Sequence, residues 1–293
     1  MELIRTRHEL QRFRQSRQRG KLVLVPTMGA LHAGHLSLVE LAHRYGQVVV
    51  SIFVNPTQFL QGEDYDSYPQ DLAEDLQALT PLDIAAVFAP HLEEMYPRES
   101  GILIQPGPRA LSLCGAQRPG HFAGVLTVVA KLFNLVQPDL AIFGRKDAQQ
   151  CLVIDEMVRD LAFSVRLLDG PTVRESDGLA MSSRNNYLSS EERKRATCLW
   201  QGLQRGRQLL GEGERDAAAI IEAVTAILQD ADQVEYVEIR SVPDLTPVQR
   251  VCDHILLAVA ASVGPARLID NLVLAVQEDS VASAALLGGE ASE

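Results

Sequence analysis

Cysteine is scarce in this chain and scattered where it occurs. The four thiols, Cys114, Cys151, Cys198 and Cys252, form no C-x-x-C pair. That argues against a zinc site or a disulfide framework and fits reduced thiols in a cytoplasmic setting. No apolar run approaches the length of a membrane span, and the first residues, Met1 to Arg7, lack the apolar core of a secretory signal. A soluble protein without a membrane partner is expected. Basic charge is also in deficit, with 27 Lys and Arg against 38 Asp and Glu and a net charge of −11. A general nucleic-acid binder needs a basic surface, so nucleic acid is not an expected partner; the deficit does not exclude local phosphate sites. No internal repeat is found. Core-forming residues are plentiful, at 46% of 293 positions, and this length favours two domains.

The richest stretch is Pro26-Thr27-Met28-Gly29-Ala30-Leu31-His32-Ala33-Gly34-His35. An apolar run, Leu22 to Val25, precedes it and reads as a buried strand. Leu36 to Tyr45 follows with Leu38, Val39, Leu41 and Ala42 spaced for a helix packed on a sheet. The H-x-G-H motif therefore falls at a strand-to-helix junction, where free N–H groups and the helix dipole favour anions. His32 and His35 share a face if helical geometry begins here. Two imidazoles so placed can bond phosphate oxygens and stabilise charge developing on them. The plainer reading is two histidines that cap a helix.

Other elements follow in order. Thr6 to Gln18, polar and arginine-rich, reads as a surface helix, with a nucleic-acid arm as the lesser reading. Gln47 to Val54 is a second buried strand, of the kind a parallel sheet covers on both faces. It ends in Asn55-Pro56-Thr57-Gln58-Phe59, where open α/β sheets bind ligands; Asn55 can equally be a turn residue. Glu74 and Asp75, in a helical stretch from Asp71 to Leu79, read most simply as a solvated face, with magnesium ligation as the lesser reading. Asp83 to Ala89 is expected as a strand and His91 to Pro97 as a loop. Arg118-Pro119-Gly120-His121-Phe122 leads into an apolar helix, and Asp139 to Phe143 is a further strand. At its end stand Gly144-Arg145-Lys146-Asp147, where Lys146 suits phosphate and Asp147 can cap the next helix or hold a ribose hydroxyl. Phe163 to Leu168 reads as a strand that breaks at Asp169-Gly170-Pro171. In Met181-Ser182-Ser183-Arg184-Asn185, two hydroxyls and a guanidinium can wrap a polyphosphate or form a capped turn. Beyond Ser189 come a helix to about Leu210, another from Asp216 to Gln229, and strands at Val234–Ile239, His254–Ala261 and Ala266–Val276. From Ser283 onward little is available to bury, and a frayed end is expected.

Taken in order, the histidine stretch, Ser51 to Phe59, Arg118 to Phe122, Pro138-Asp139, Gly144 to Gln150, Met181 to Asn185 and Arg267-Leu268-Ile269-Asp270-Asn271 resemble the pantothenate synthetases of the nucleotidyltransferase superfamily. The resemblance runs from about Arg5 to Val276. It implies an α/β fold with a Rossmann-like doubly wound parallel sheet, residues 1–173, binding ATP and pantoate. A smaller α+β C-terminal lid domain would follow over 174–283, with 284–293 as a disordered tail. The implied reaction condenses (R)-pantoate with β-alanine, converts ATP to AMP and pyrophosphate through a pantoyl-adenylate, and serves pantothenate biosynthesis. By the same resemblance Met28, Gly29, Ala30, Leu31, His32, Ala33, Gly34, His35, Gly144, Arg145, Lys146, Asp147, Val173, Met181, Ser182, Ser183 and Arg184 line the ATP site. His35, His32, Lys146, Ser182, Ser183 and Arg184 would act in catalysis, with His35 as general acid. Gln58, Gln150 and Asn55 would hold substrate. Asp75 would be an outer contact for Mg²⁺ travelling with ATP, and the protein a homodimer. One departure stands out: Tyr68-Pro69-Gln70 replaces the Tyr-Pro-Arg common in the family, so no cation is available at the third position. Rival readings are another nucleotidyltransferase, or a silent nucleotide sensor that would have no need of His35.

Overall fold

The structure, a computed structural model, describes residues 1–17, 20–98, 101–278 and 280–288. In chain order the strands and helices are β1 (Glu2–Ile4), α1 (Arg7–Ser16), β2 (Leu22–Thr27), α2 (Ala33–His43), β3 (Gln47–Ile52), α3 (Leu72–Leu79), β4 (Ala86–Phe88) and α4 (Leu92–Met95). Then come α5 (Leu113–Gln117), α6 (His121–Val136), β5 (Leu140–Gly144), α7 (Ala148–Asp160) and β6 (Arg166–Gly170). The last part holds α8 (Ser190–Ala196), α9 (Cys198–Gly211), α10 (Ala217–Ile227), β7 (Gln233–Ser241), β8 (Asp253–Val263), β9 (Ala266–Val276) and β10 (Val281–Ser283).

Two compact units emerge. The first comprises residues 1–107, 118–144 and 153–170; the second comprises 108–117, 145–152 and 171–293.

The first unit is a parallel six-stranded sheet in the order β1-β4-β3-β2-β5-β6. The interior strands have almost no polar face: Leu22 to Val25 and Val48 to Val50 are all fully buried, as a sheet covered on both sides requires. The strand order reverses at β2, so the ligand-binding crevice of such a sheet lies at the carboxyl ends of β2 and β5. The strands part there. β2 follows β3 as far as Thr27 but pairs with β5 only at Val23 and Leu24. The parting also explains how Pro26, which has no N–H to give, sits in a central strand.

The second unit is an antiparallel sheet in the order β10-β9-β8-β7. Leu199, Leu203, Ile220 and Val224 from α9 and α10 pack on Ile255, Leu257, Val259 and Leu274 of the sheet. An α/β parallel sheet followed by an α+β unit is the fold class expected from the sequence.

Several local expectations are corrected. Residues 92–95 form a short helix within the expected loop, and the last parallel strand runs from Arg166 through Gly170 instead of stopping at Leu168. Polar Asp169 is fully buried in that strand, which broke the apolar pattern without breaking the strand. The strand at 83–89 is confined to Ala86–Phe88 because Asp83 adopts a left-handed turn. The long helix after Ser189 divides at Thr197. The expected fraying from Ser283 does not hold through residue 288: the Ala284 N–H donates to the Val273 carbonyl at 2.9 Å, and Ala284 and Leu286 are buried. Residues 289–293 of that tail, like Gln18 at the end of the first expected helix, lie outside the described residues.

Candidate active site

The histidine loop is built from the backbone outward. Thr27 ends β2, and its hydroxyl donates to the Ser51 carbonyl on β3 at 2.8 Å, tying the loop's start to the neighbouring strand. Gly29 and Ala30 both take positive φ, 85° and 49°. A Cβ at Gly29 would meet the Asp75 carboxylate at 2.8 Å, so glycine serves both the turn and the close approach. Asp75 then fixes the loop: its carboxylate accepts the Leu31 N–H at 2.7 Å and the Ala30 N–H at 3.2 Å. It lies almost entirely buried on α3, so the reading of Asp75 as part of a solvated face is overturned; Glu74 beside it is exposed. Burial raises the Asp75 carboxyl above its ordinary range, and the two N–H bonds oppose that rise.

His32 occupies the N-cap of α2 and His35 its third position. The Nδ1 of His32 accepts the Gly34 N–H at 3.2 Å, and the Nδ1 of His35 accepts the His32 N–H at 3.4 Å. This is a reciprocal capping box with imidazoles in place of the usual hydroxyl and carboxylate. It has a chemical consequence. A neutral imidazole whose Nδ1 accepts carries its proton on Nε2, so the capping contacts favour that tautomer in both rings. The rings lie against each other with centroids 4.1 Å apart. Capping the helix and meeting an anion are therefore compatible in one geometry.

Gln58 closes a 3-10 turn, Pro56–Gln58. Its Nε2 donates to the Met28 sulfur at 2.9 Å, and its Oε1 accepts from Asn55 Nδ2 at 3.1 Å. Thus Met28, Asn55 and Gln58 are brought together, on the same loop system as the histidines. Asn55 itself is buried and heavily engaged. Its Nδ2 also donates to the Gly124 carbonyl, and its Oδ1 accepts from the Thr57 hydroxyl and from Tyr96 OH, each at 2.9 Å. In this state it orients Gln58. α6 packs directly against the turn: a Cβ at Gly124 would overlap the Thr57 carbonyl and come within 2.7 Å of the Gln58 nitrogen. Beyond the side chain, the Gln58 carbonyl receives His121 Nδ1–H at 2.7 Å and Arg118 Nη2–H at 3.3 Å. Arg118 also grips both Glu63 oxygens at 2.6 Å. Burial would raise the Glu63 carboxyl, but the Arg118 guanidinium and the Leu60 N–H together hold the acid below its ordinary range.

Tyr96 and Gly124 escaped the sequence reading. Tyr96 lay in an expected loop, and Gly124 was one small residue in an apolar helix. Neither carries a signal without knowledge of its neighbours.

Gly144 ends β5 in the first unit, and the remaining expected residues belong to the second. Arg145, Lys146 and Asp147 form a single 3-10 turn leading into α7, with Arg145 buried. Gln150 is half-buried on the first turn of that helix. Its neighbour Gln149 turns inward and donates to the Arg109 and Ser112 carbonyls at 2.8 and 2.7 Å. Residues 173–181 form a hairpin, closed by the Met181 N–H on the Val173 carbonyl at 3.0 Å and by the Arg174–Ala180 bridge. Arg174 anchors it, donating to both oxygens of buried Asp270 at 2.6 and 3.0 Å and lying 3.7 Å over the Trp200 ring. Beyond the hairpin Ser182 caps the turn Ser183–Tyr187, its hydroxyl accepting the Arg184 N–H at 3.3 Å. Met181 through Arg184 are thus held on a braced arm.

Both Asp75 oxygens are committed to the loop, and among the described residues no three His, Cys, Asp or Glu side chains converge as a metal-holding group.

A parallel sheet with a histidine-capped helix at its switch point defines a protein of the nucleotide-binding α/β class. Comparison with known proteins gives the particular family. The profile of the family described as pantoate-beta-alanine ligase matches residues 2–273. A pantothenate synthetase of Fervidobacterium nodosum is 48% identical over 278 residues, covering 94% of this chain and 99% of that one. The crystal structure of pantothenate synthetase from Thermus thermophilus superposes with a TM-score of 0.88 at 45% identity, over 93% of this chain and 99% of that chain. A pantoate-beta-alanine ligase from Francisella tularensis, solved with β,γ-ATP and β-alanine, superposes with a TM-score of 0.79 at 34% identity, over 93% and 97% of the two chains. This chain belongs to the pantoate–β-alanine ligase family and is an ATP-dependent ligase of pantothenate formation.

Proposed function

We propose that the chain forms pantothenate in two displacements. The carboxylate oxygen of (R)-pantoate attacks the α-phosphorus of ATP, the bond to the β-phosphate oxygen breaks, and pyrophosphate leaves. The amine of β-alanine then attacks the carbonyl carbon of the pantoyl-adenylate, the bond to AMP breaks, and the amine gives up a proton. Activation is needed because oxide is a poor leaving group and AMP a good one. The observation that carries this reading is the capping box of α2, which sets both imidazoles at a helix N-terminus, where phosphate oxygens are favoured. On this reading His32 and His35 hold the nucleotide's phosphates, with His35 the general acid. Lys146, Ser182, Ser183 and Arg184 neutralise the departing pyrophosphate. Met28 to His35, Gly144 to Asp147, Val173 and Met181 to Arg184 bind ATP.

Gln58 and Gln150 hold pantoate through neutral amides, and Gln58 also meets β-alanine. A neutral grip leaves the carboxylate nucleophilic, where a bidentate arginine would quench it. Asn55 acts through Gln58. Mg²⁺ enters as the counter-ion of ATP phosphates, with Asp75, the anchor of the histidine loop, as its outer contact. A homodimer is supported by the apolar Ile102 and Leu103, which are 82% and 59% exposed. Cytoplasmic residence is supported by four cysteines that form no disulfide among the described residues; among those residues no helix is long and apolar enough to cross a membrane.

The test is to incubate the protein with ATP, Mg²⁺ and (R)-pantoate, with and without β-alanine, and to follow AMP, pyrophosphate and pantothenate. Sustained release of all three only with both acids present is the expected result. ATP bound but never cleaved would instead favour a nucleotide sensor.

A further inference from the structure

β9 of the second unit carries Asp270 and Asn271 in succession, so their side chains leave opposite faces of the sheet. Asp270 faces the helices and takes Arg174, the anchor of the hairpin at 173–181. Asn271 faces the other way. Its Nδ2 donates to the carbonyls of both Arg145 and Lys146, at 3.1 and 2.9 Å. The two hydrogens of one amide thus clamp two successive peptide groups of a single tight turn.

The clamp has a cost. Asn271 is buried, and its Oδ1 finds no hydrogen-bond partner among the described residues. An unpaired buried acceptor is uncommon and destabilising. Flipping the amide would not help, because the oxygen would then face two carbonyls. An apolar residue here would bury with less penalty but could not hold the turn.

We propose that Asn271 is a positioning residue for the reaction: by clamping the Arg145 and Lys146 carbonyls it fixes the backbone from which Lys146 reaches the phosphates. This rests on the reading above, in which Lys146 acts on departing pyrophosphate. Lys146 is a point charge on a flexible stem, so the accuracy of its aim depends on the backbone beneath it. A misplacement of about 1 Å at such a group can cost ~100-fold in rate.

Asn271→Ala and the near-isosteric Asn271→Asp, which lacks the donor hydrogens, are to be compared with Lys146→Ala and with the double variants. Pyrophosphate release, the KM for pantoate and thermal melting are measured for each. If either variant melts near the assay temperature, the rates of all variants and wild type are compared at a temperature below its melting point. The expected result is pyrophosphate release slowed by ~10–100-fold, with the pantoate KM within about twofold of wild type. The Lys146→Ala background should lose little further rate when Asn271 is changed, because residues acting as one unit are not additive. A wild-type rate in the Asn271 variants, or losses that multiply in the double variants, overturns the proposal. A wild-type rate in Lys146→Ala would instead overturn the role of Lys146, and the proposal with it.

Discussion

At His35 one ring nitrogen caps a helix while the other carries the proton, so alanine there removes two things at once. Glutamine separates them. A glutamine at the third position of a capping box retains the acceptor but has no imidazole. His35→Gln is expected to lower turnover by about 10²–10⁴-fold, the scale of a lost acid or lost charge stabilisation. Its unfolding free energy should stay within about 1 kcal/mol of wild type, since the cap survives. Steady-state kinetics beside chemical denaturation decide this; a wild-type rate would assign His35 to the cap alone. The sequence already raised both the capping and the anion-binding readings. Which nitrogen faces the backbone, however, depends on rotamers that residue order does not specify. Asp75 shows the same limit: on a helical wheel it passes for a solvent-facing acid. Only the return of the loop after β2 makes it the acceptor for Ala30 and Leu31.

At the scale of elements, the turn carrying Gln58 depends on α6 more than on its own sequence. Gly124 lets the helix approach the Thr57 carbonyl and Gln58 nitrogen more closely than any side chain would allow. Gly124→Ala is expected to push the turn outward, destabilising the protein by about 1–3 kcal/mol as overpacked sites do and raising the KM for pantoate more than that for ATP. Denaturation curves and the two KM values measure both effects. Lost stability with an unchanged pantoate KM would separate the turn from substrate binding. Helices and strands with strong apolar periodicity were legible in advance, among them α6, β2, β3, β8 and β9. Boundaries shifted where a polar residue was buried, as with Asp169 in β6, or where the backbone turned left-handed, as at Asp83.

For the whole molecule, stability at high pH offers a separate measure of core integrity. Cys198 is buried at the start of α9, and its thiol is pushed from 9.0 up to about 11, first by burial and then by nearby Asp230. The folded state thus holds its proton more tightly than the unfolded chain. The stability linked to this thiol is fully present below pH 9 and is lost as pH rises from 9 towards 11, by up to ~3 kcal/mol before any screening by solvent. Melting temperature should fall across that window, and Cys198→Ala should flatten the fall; parallel curves would remove the thiol as its cause. Residue order alone determined the alternation of buried strands and amphipathic helices, hence the α/β class, because burial patterns are local and periodic. It also determined the order of chemical motifs, each of which fits in a few residues. Only the tertiary structure decided how those motifs are held: Asp75 beneath Leu31 of the histidine loop, Gly124 against Asn55 and the turn of Gln58, and Asp270 against Arg174. Those partners lie between 44 and 96 residues apart along the chain. Their pairing follows from how whole elements pack, which no local pattern encodes.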